Sequence, residues 1–318
     1  MIMAYTTSKE ISKTMEPFKI NILGCGSAIP TLRHNPASQI IELRGKTFMV
    51  DCGEGTQIQI RKQKVHFAKI QAIFISHLHG DHCFGLWGMI STFGLTGRTS
   101  PLHIYAPKQL EEYFYHTMQL FGHGFSYDVI FHPIDATCKN TIYEDKSLTV
   151  TTIPLKHRMP CCGFLFKEKP TLPHINRSII DFYNIPISQF NNIKNGANWQ
   201  TPEGKIIPNS ILTTPADTPK SYAYCSDTRY MEDLYKQVAN VTLLYHESTY
   251  NNEDKNKAEK YFHSTAKEAA MVAKAAKVKQ LLLGHYSARY SNEELLLEEA
   301  KEIFPNTILS FEGLCLKI

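Results

Sequence analysis

Four side chains able to bind a divalent metal fall within six residues of this chain: His77, His79, Asp81 and His82, in Ser76-His77-Leu78-His79-Gly80-Asp81-His82. Neutral imidazole and carboxylate are ligands that zinc takes, and a catalytic zinc keeps one position open for water. The cluster is dense enough for two adjacent ions, and the chemistry it points to is metal-assisted hydrolysis. In a loop leaving an extended strand, His77 and His79 can point to one side while Asp81 and His82 turn to the other. One pair can then serve each ion.

The elements that must position these residues are legible around them. The apolar run 70–75 reads as a buried strand, and Gly80 allows a tight loop just after it. Four residues cannot saturate two metals, so further ligands are expected at the ends of other strands. His157 follows the alternating run 148–153, Asp227 follows 221–225, and His285 follows 280–284. All three sit beyond the carboxyl end of an apolar run, where open α/β sheets build their sites. His34, His66, His103, His116, His123, His132 and His174 lack that placement and are assigned no chemistry. Asp51 ends another apolar run beside glycines. It is either a carboxylate that supports a ligating histidine or a turn-capping aspartate.

Composition agrees with a globular enzyme. The chain has 318 residues, 43% of them hydrophobic, which is enough for one large or two smaller compact units. With 34 Lys and Arg against 30 Asp and Glu, the net charge of +4 does not by itself indicate a nucleic-acid binder. The eight cysteines are scattered without a CxxC, which fits free thiols in a reducing compartment better than a disulfide framework. The start of the chain is polar, with no signal-peptide apolar region, and no run is long enough to span a membrane. The expectation is a soluble cytoplasmic protein without a membrane partner.

Along the chain, residues 1–17 form a polar leader. Strands are expected at 18–23, 39–43 and 47–50, and then alternate with helical stretches such as 110–121 and 264–277, an α/β pattern. Gly24-Cys25-Gly26-Ser27 lacks the third glycine of a dinucleotide fingerprint, so it reads as a turn. Ser264 is the expected N-cap of the last of those helices, which leaves His263 in the loop at its entrance. Between Phe166 and Ser221 the apolar positions become sparse, and this stretch reads as an inserted arm of about 50 residues, since long irregular insertions in compact domains are usually functional.

Seven motifs follow one another along the chain: Leu23-Gly24-Cys25-Gly26-Ser27, Asp51-Cys52-Gly53-Glu54-Gly55-Thr56-Gln57, the stretch from Ser76 to Leu86, Ser226-Asp227-Thr228-Arg229, His246-Glu247-Ser248-Thr249, His263-Ser264-Thr265-Ala266, and His285-Tyr286-Ser287-Ala288-Arg289-Tyr290. Taken in this order, they resemble the metallo-β-lactamase fold superfamily and, within it, the ribonuclease Z family of tRNA 3′-processing endoribonucleases. The likeness runs from about Phe18 to the C-terminus. Two departures stand out. The family's proline-x-lysine-x-arginine-asparagine pattern appears as Pro30-Thr31-Leu32-Arg33-His34-Asn35, and the Gly-Pro step usual in the bacterial arm is missing from residues 184–190.

The resemblance implies a four-layer αβ/βα sandwich over residues 18–318, with a di-zinc site at one edge of its two sheets and an inserted exosite arm at about 167–209. Carried onto matching positions, His77, His79 and His157 hold one Zn2+, Asp81, His82 and His285 hold the other, and Asp227 bridges them. Asp81 is then the best acceptor for the proton of the attacking water. His263 paired with Glu247 is similar to the family's donor to the leaving oxygen, although an ordinary loop carboxylate and a helix-capping histidine are the plainer readings of those two. Arg289 is either a phosphate contact or a surface ion pair. The implied partners are precursor tRNA and a second copy of the chain in a homodimer. The implied reaction is removal of the 3′ trailer. The alternatives are a di-zinc phosphodiesterase for small esters, which needs no arm, and a non-enzymatic RNA-binding scaffold, which predicts damaged ligand positions.

Overall fold

A computed structural model describes residues 17–121 and 124–318. His123 and, apart from Pro17, the polar leader lie outside the described residues. Two seven-stranded sheets dominate. The first runs across space as Cys315–Lys317, Lys19–Gly24, Ser38–Leu43, Lys46–Val50, Ile70–Phe74, Leu102–Pro107 and Val129–Ile134. Its pairing is antiparallel as far as Lys46–Val50 and parallel beyond it. The second runs as Thr307–Leu309, Gln280–Gly284, Leu243–Glu247, Ser221–Cys225, Cys161–Glu168, Leu148–Leu155 and Thr141–Glu144, parallel over its first four strands and antiparallel after them.

The sheets face each other through aromatic side chains. Phe74 of the first sheet lies 5.6 Å from Phe164 and 5.4 Å from Phe166 of the second, ring centre to ring centre, and Phe48 lies 6.0 Å from Phe166. All four are buried, and each contributes roughly 2–3 kcal/mol by leaving water. The outer faces are covered by helices. On the first sheet Ile73, Ile75 and Ile104 pack with Leu86, Ile90 and Phe93 of the helix Leu86–Leu95, and with Leu110 and Phe114 of the helix Lys108–Phe121. On the second, the helix Ala266–Ala276 buries Ala266, Ala269, Ala270, Ala273 and Ala276. That helical spacing puts small residues on one stripe, so the backbone approaches the sheet closely. The result is the four-layer sandwich expected of the fold superfamily.

Two local readings of the sequence are corrected. The cap of the helix Ala266–Ala276 is Thr265, not Ser264. Glu268, three residues after Thr265, closes a capping box, while the Ser264 hydroxyl donates to Thr228 O at 2.6 Å. Gly80 opens the short helix Gly80–Cys83 with no left-handed backbone. Its missing side chain instead makes room for the Phe84 ring, which a Cβ would meet at 2.4 Å.

Residues 169–220 lie between the paired strands Cys161–Glu168 and Ser221–Cys225. They are not featureless. Two short ribbons, His174–Ile175 with Thr213–Thr214 and Trp199–Gln200 with Ile206–Ile207, frame the helices Arg177–Phe182, Phe190–Lys194 and Asn209–Leu212. Ile180, Ile185, Ile193, Ile207 and Leu212 form a small apolar cluster of their own, separate from the two larger ones.

Candidate metal centre

Strand direction explains where the chemistry collects. The carboxyl ends of Ile70–Phe74, Leu148–Leu155, Ser221–Cys225 and Gln280–Gly284 all reach one edge of the sandwich. Leu148–Leu155 shares the direction of Ser221–Cys225 because Cys161–Glu168 lies antiparallel to both. The loops beyond those ends carry His77, His79, Asp81, His82, His157, Asp227 and His285. Asp227 and His285 have left-handed backbone, with φ of 56° and 61°. For a residue with a side chain this costs of order 1–3 kcal/mol, and it turns the chain sharply as the strand ends.

The donor atoms form two adjacent groups. In one, His77 Nε2 lies 3.0 Å from His79 Nδ1, which lies 3.1 Å from His157 Nε2. Asp227 Oδ1 faces this group, 3.9 Å from His77 Nε2 and 3.7 Å from His157 Nε2. In the other, His82 Nε2 and His285 Nε2 are 3.4 Å apart. Asp81 Oδ2 lies 3.6 and 3.7 Å from them, and Asp227 Oδ2 lies 2.9 and 3.1 Å from them. A tetrahedral zinc with bonds of about 2.0–2.1 Å has ligand-to-ligand edges of about 3.3 Å. The donor set therefore fits two ions, with the two oxygens of Asp227 directed to one group each.

Three of the rings are held from behind. His82 Nδ1 donates to Asp51 Oδ2 at 2.7 Å, and that buried carboxylate also accepts from Ser76 N at 2.8 Å, Ser76 Oγ at 2.9 Å and Tyr224 OH at 2.7 Å. Of the two readings of Asp51, its contact with His82 matches the histidine support. His157 Nδ1 donates to Phe262 O at 3.0 Å, and Thr249 Oγ1 meets His285 Nδ1 at 3.0 Å. Carboxylates and carbonyls behind a ring nitrogen fix which nitrogen faces a metal. Tyr224 and Thr249 were not picked out from sequence. Tyr224 reads as core within its strand, whereas Thr249 lies in the conspicuous His246-Glu247-Ser248-Thr249 stretch.

Electrostatics follow from burial and crowding. Burial holds His77 well below the usual histidine range, and the neighbouring His82 adds to this; burial also lowers His79 and His157. Neutral imidazole is the form that binds metal. Burial opposes charge on His82 as well, but Asp227 and Asp51 beside it raise its pKa well above normal. Burial likewise disfavours ionised Asp227, yet His285, His82 and His77 hold its carboxyl well below the usual range. Asp81 is lowered by His82 and a hydrogen bond from His285 against the effect of burial, and its Oδ2 accepts from Ala28 N at 2.8 Å.

Beside the second group lies a dyad. His263 Nδ1 donates to Glu247 Oε1 at 2.9 Å, and fully buried Glu247 also accepts from the backbone of Thr228 and Ser264 and from Thr249 Oγ1. Burial works against an imidazolium here, but the Glu247 charge and hydrogen bond prevail and raise His263 to about 9. His263, His79, Asp81, His157, Asp227 and His285 line one open cleft of about 510 Å³, with Ala28, Phe84 and Arg158 on its walls. Arg289 lies in an adjoining hollow, paired with Asp254 at 3.3 Å and stacked 4.9 Å over Tyr250.

Comparison with known proteins gives the family. Ribonuclease Z of Bacteroides fragilis is 53% identical over 304 residues, covering 96% of this chain and 100% of that protein. The chain belongs to the ribonuclease Z family. Ribonuclease Z of Porphyromonas gingivalis is 50% identical over 298 residues, covering 94% of this chain and 98% of its own. Human short-form tRNase Z superposes with a TM-score of 0.69 at 25% identity over 94% of this chain and 99% of its own. Yeast long-form RNase Z gives 0.67 at 17% identity, covering 97% of this chain and 43% of the yeast protein, a likeness of fold. A family model described as anti-Pycsar protein Apyc1 matches residues 18–173. As a ribonuclease Z, the chain is a hydrolase that cleaves phosphodiester bonds in RNA, an endoribonuclease.

Proposed function

We propose that this ribonuclease Z removes the 3′ trailer from precursor tRNA by zinc-dependent hydrolysis, leaving a 3′-hydroxyl on the tRNA. The observation that carries this reading is the convergence of His77, His79 and His157 on one side of Asp227, and of Asp81, His82 and His285 on the other. These residues would hold a pair of zinc ions, which when bound would supply the Lewis acidity that makes water a nucleophile at neutral pH and would offset the phosphate charge. Asp81 receives the proton of the attacking water. His263, kept charged by Glu247, protonates the departing 3′-oxygen as its bond to phosphorus breaks. Arg158, on the cleft wall beside His157, offers a cation to a phosphate oxygen.

The arm supports a tRNA substrate over a small ester. Arg177 stacks 5.5 Å over Phe190 and Lys205 lies 5.9 Å from the Tyr183 ring centre, so cations sit on aromatic faces there, and Phe182 and Ile187 are exposed. Such a surface suits a sugar-phosphate backbone with unstacked bases. In this reading the arm grips tRNA, the working unit is a homodimer, and the protein acts in the cytoplasm. No helix among the described residues is long and apolar enough to cross a membrane.

The test is a precursor tRNA carrying a 3′ trailer, incubated with metal-loaded wild type, Asp81→Asn and His263→Ala, with the cut ends mapped. Cleavage beside the acceptor stem that collapses in both variants is the expected result. Intact precursor alongside metal-dependent hydrolysis of a small phosphodiester would overturn the tRNA assignment and leave the small-ester reading.

A further inference from the structure

Beneath the loop that lines the cleft lies a second convergence of metal-binding atoms. Cys25 Sγ is 3.4 Å from His34 Nδ1 and 3.8 Å from Glu312 Oε2, and those two atoms are 3.0 Å apart. A tetrahedral zinc with a sulfur bond of about 2.3 Å and nitrogen or oxygen bonds of about 2.0–2.1 Å has edges of about 3.6 Å from sulfur and about 3.3 Å otherwise. All three separations match within a few tenths of an ångström. The Ser310 carbonyl oxygen, 3.7 Å from the same sulfur, offers a further donor.

The surroundings resemble the support given to the rings of the catalytic centre. His34 Nε2, on the far side of the ring, faces Glu293 Oε1 at 3.3 Å without a satisfied hydrogen bond. A carboxylate behind a ligating histidine is the usual companion of a metal site. The second oxygen of Glu312 accepts from Asn35 N at 2.7 Å, which fixes the carboxylate. Cys25 is fully buried, while the side chains of His34 and Glu312 keep 11% and 13% exposure, enough for an ion to enter.

We propose that Cys25, His34 and Glu312 form a third cation site, distinct from the catalytic centre and selective for a thiophilic divalent ion of the zinc class. A mixed sulfur, nitrogen and oxygen set favours such an ion over magnesium or calcium. Binding releases two protons to solvent, that of the Cys25 thiol and that of His34 Nδ1, which faces Glu312 in the metal-free protein, so the cation is held by thiolate, neutral imidazole and carboxylate. The ion would tie the loop after Cys25 to the C-terminal segment. That loop donates Ala28 N to Asp81, and it pairs with the residue after His285 through Ser27 N to Tyr286 O and Tyr286 N to Cys25 O, both 3.0 Å. Its role is structural.

Cobalt distinguishes this site from the catalytic one, because none of the ligands proposed there is a cysteine. Metal-free full-length protein titrated with Co2+ is expected to develop the near-ultraviolet charge-transfer band of a cobalt thiolate. Cys25→Ser and His34→Gln should each abolish that band and lower the bound cobalt by about one ion per chain, with far-ultraviolet circular dichroism unchanged. A wild-type protein without the band, or a band that survives Cys25→Ser, would overturn the proposal and leave His34 as an ion-paired strut between Glu312 and Glu293. Should Cys25→Ser fail to fold, the wild-type band and its loss in His34→Gln decide the matter.

Discussion

Asp51→Asn is the most informative substitution in this structure, because it changes one atom and leaves shape intact. The carboxylate is completely buried and receives four hydrogen bonds, from Ser76 N on Oδ1 and from His82 Nδ1, Ser76 Oγ and Tyr224 OH on Oδ2. An amide has only one oxygen. If its NH2 group takes the Oδ1 position, it confronts the Ser76 N–H, donor to donor. If it takes the Oδ2 position, the His82 Nδ1–H loses its acceptor, which favours the tautomer with the proton on Nε2, the atom that faces Asp227. Asparagine tolerates the left-handed φ of 55° at this position at least as well as aspartate, so backbone strain does not confound the result.

The loss combines a charge-assisted hydrogen bond with a buried donor left unpaired, roughly 2–4 kcal/mol in total. Metal affinity should fall about 10- to 100-fold, as when the support behind a ligand is removed. Urea unfolding of the metal-free protein reads the first quantity and competition with a chromophoric chelator reads the second. Tyr224→Phe removes one of the four donors without reversing any, and should cost about 1 kcal/mol. If Asp51→Asn binds metal and unfolds as wild type does, the carboxylate neither orients His82 nor supports the fold, and the account of the inner network fails.

Four further outcomes are expected. His263 is raised to about 9 and an unfolded histidine titrates near 6.5; the stability from its pairing with Glu247 is thus fully present below about pH 6.5 and lost as pH rises through about 9, and cleavage should fall across the same upper limit. Glu247→Gln should move that alkaline limb well down the pH axis, and a rate profile that does not shift would remove His263 as the acid. Thr249→Val deletes the hydroxyl placed 3.0 Å from His285 Nδ1, so chelator competition should show about 10-fold weaker binding of one ion, with equal affinity counting against this support. Residues 170–219 join neighbouring antiparallel strands in which Ser221 pairs with Lys167, so replacing them by a short turn should preserve hydrolysis of a small phosphodiester while precursor tRNA binding drops steeply in gel-shift titration. Gly163→Ala would drive a Cβ to 2.1 Å from Tyr224 O, parting the two strands at a cost of roughly 1–3 kcal/mol or more, visible as a lower urea midpoint.

What could be read from sequence, and what could not, divides along physical lines. The ligand candidates were visible because metal binding demands uncommon residue types, and because strand ends mark where such residues collect. Their supports use ordinary residues whose meaning comes from partners far away along the chain. Tyr224 is simply a core tyrosine until its hydroxyl is seen on Asp51, 173 positions earlier. Asp51 was ambiguous for the same reason, since its sequence neighbours are turn formers and its partner His82 is 31 residues on. Gly80 reads as a turn residue because a glycine needed for the space of the Phe84 ring looks the same in sequence as one needed for a turn. The cap at Thr265 was recoverable, because Glu268 follows it at capping-box spacing, whereas Ser264 has no such partner. The small cluster of Ile180, Ile185, Ile193, Ile207 and Leu212 escaped because its members come from short, irregular elements with no period to detect. The left-handed backbone at Asp51, Asp227 and His285 joins the two cases. Three non-glycine residues hold an unfavourable conformation just after their strands, and in the metal-free chain the accumulated cost and the crowding of ring nitrogens only 3.0 to 3.4 Å apart oppose closure of the site. Metal binding offsets both, so the loops at this edge should be more protected from hydrogen exchange when metal is bound, while the inter-sheet core around Phe74 exchanges alike in both states.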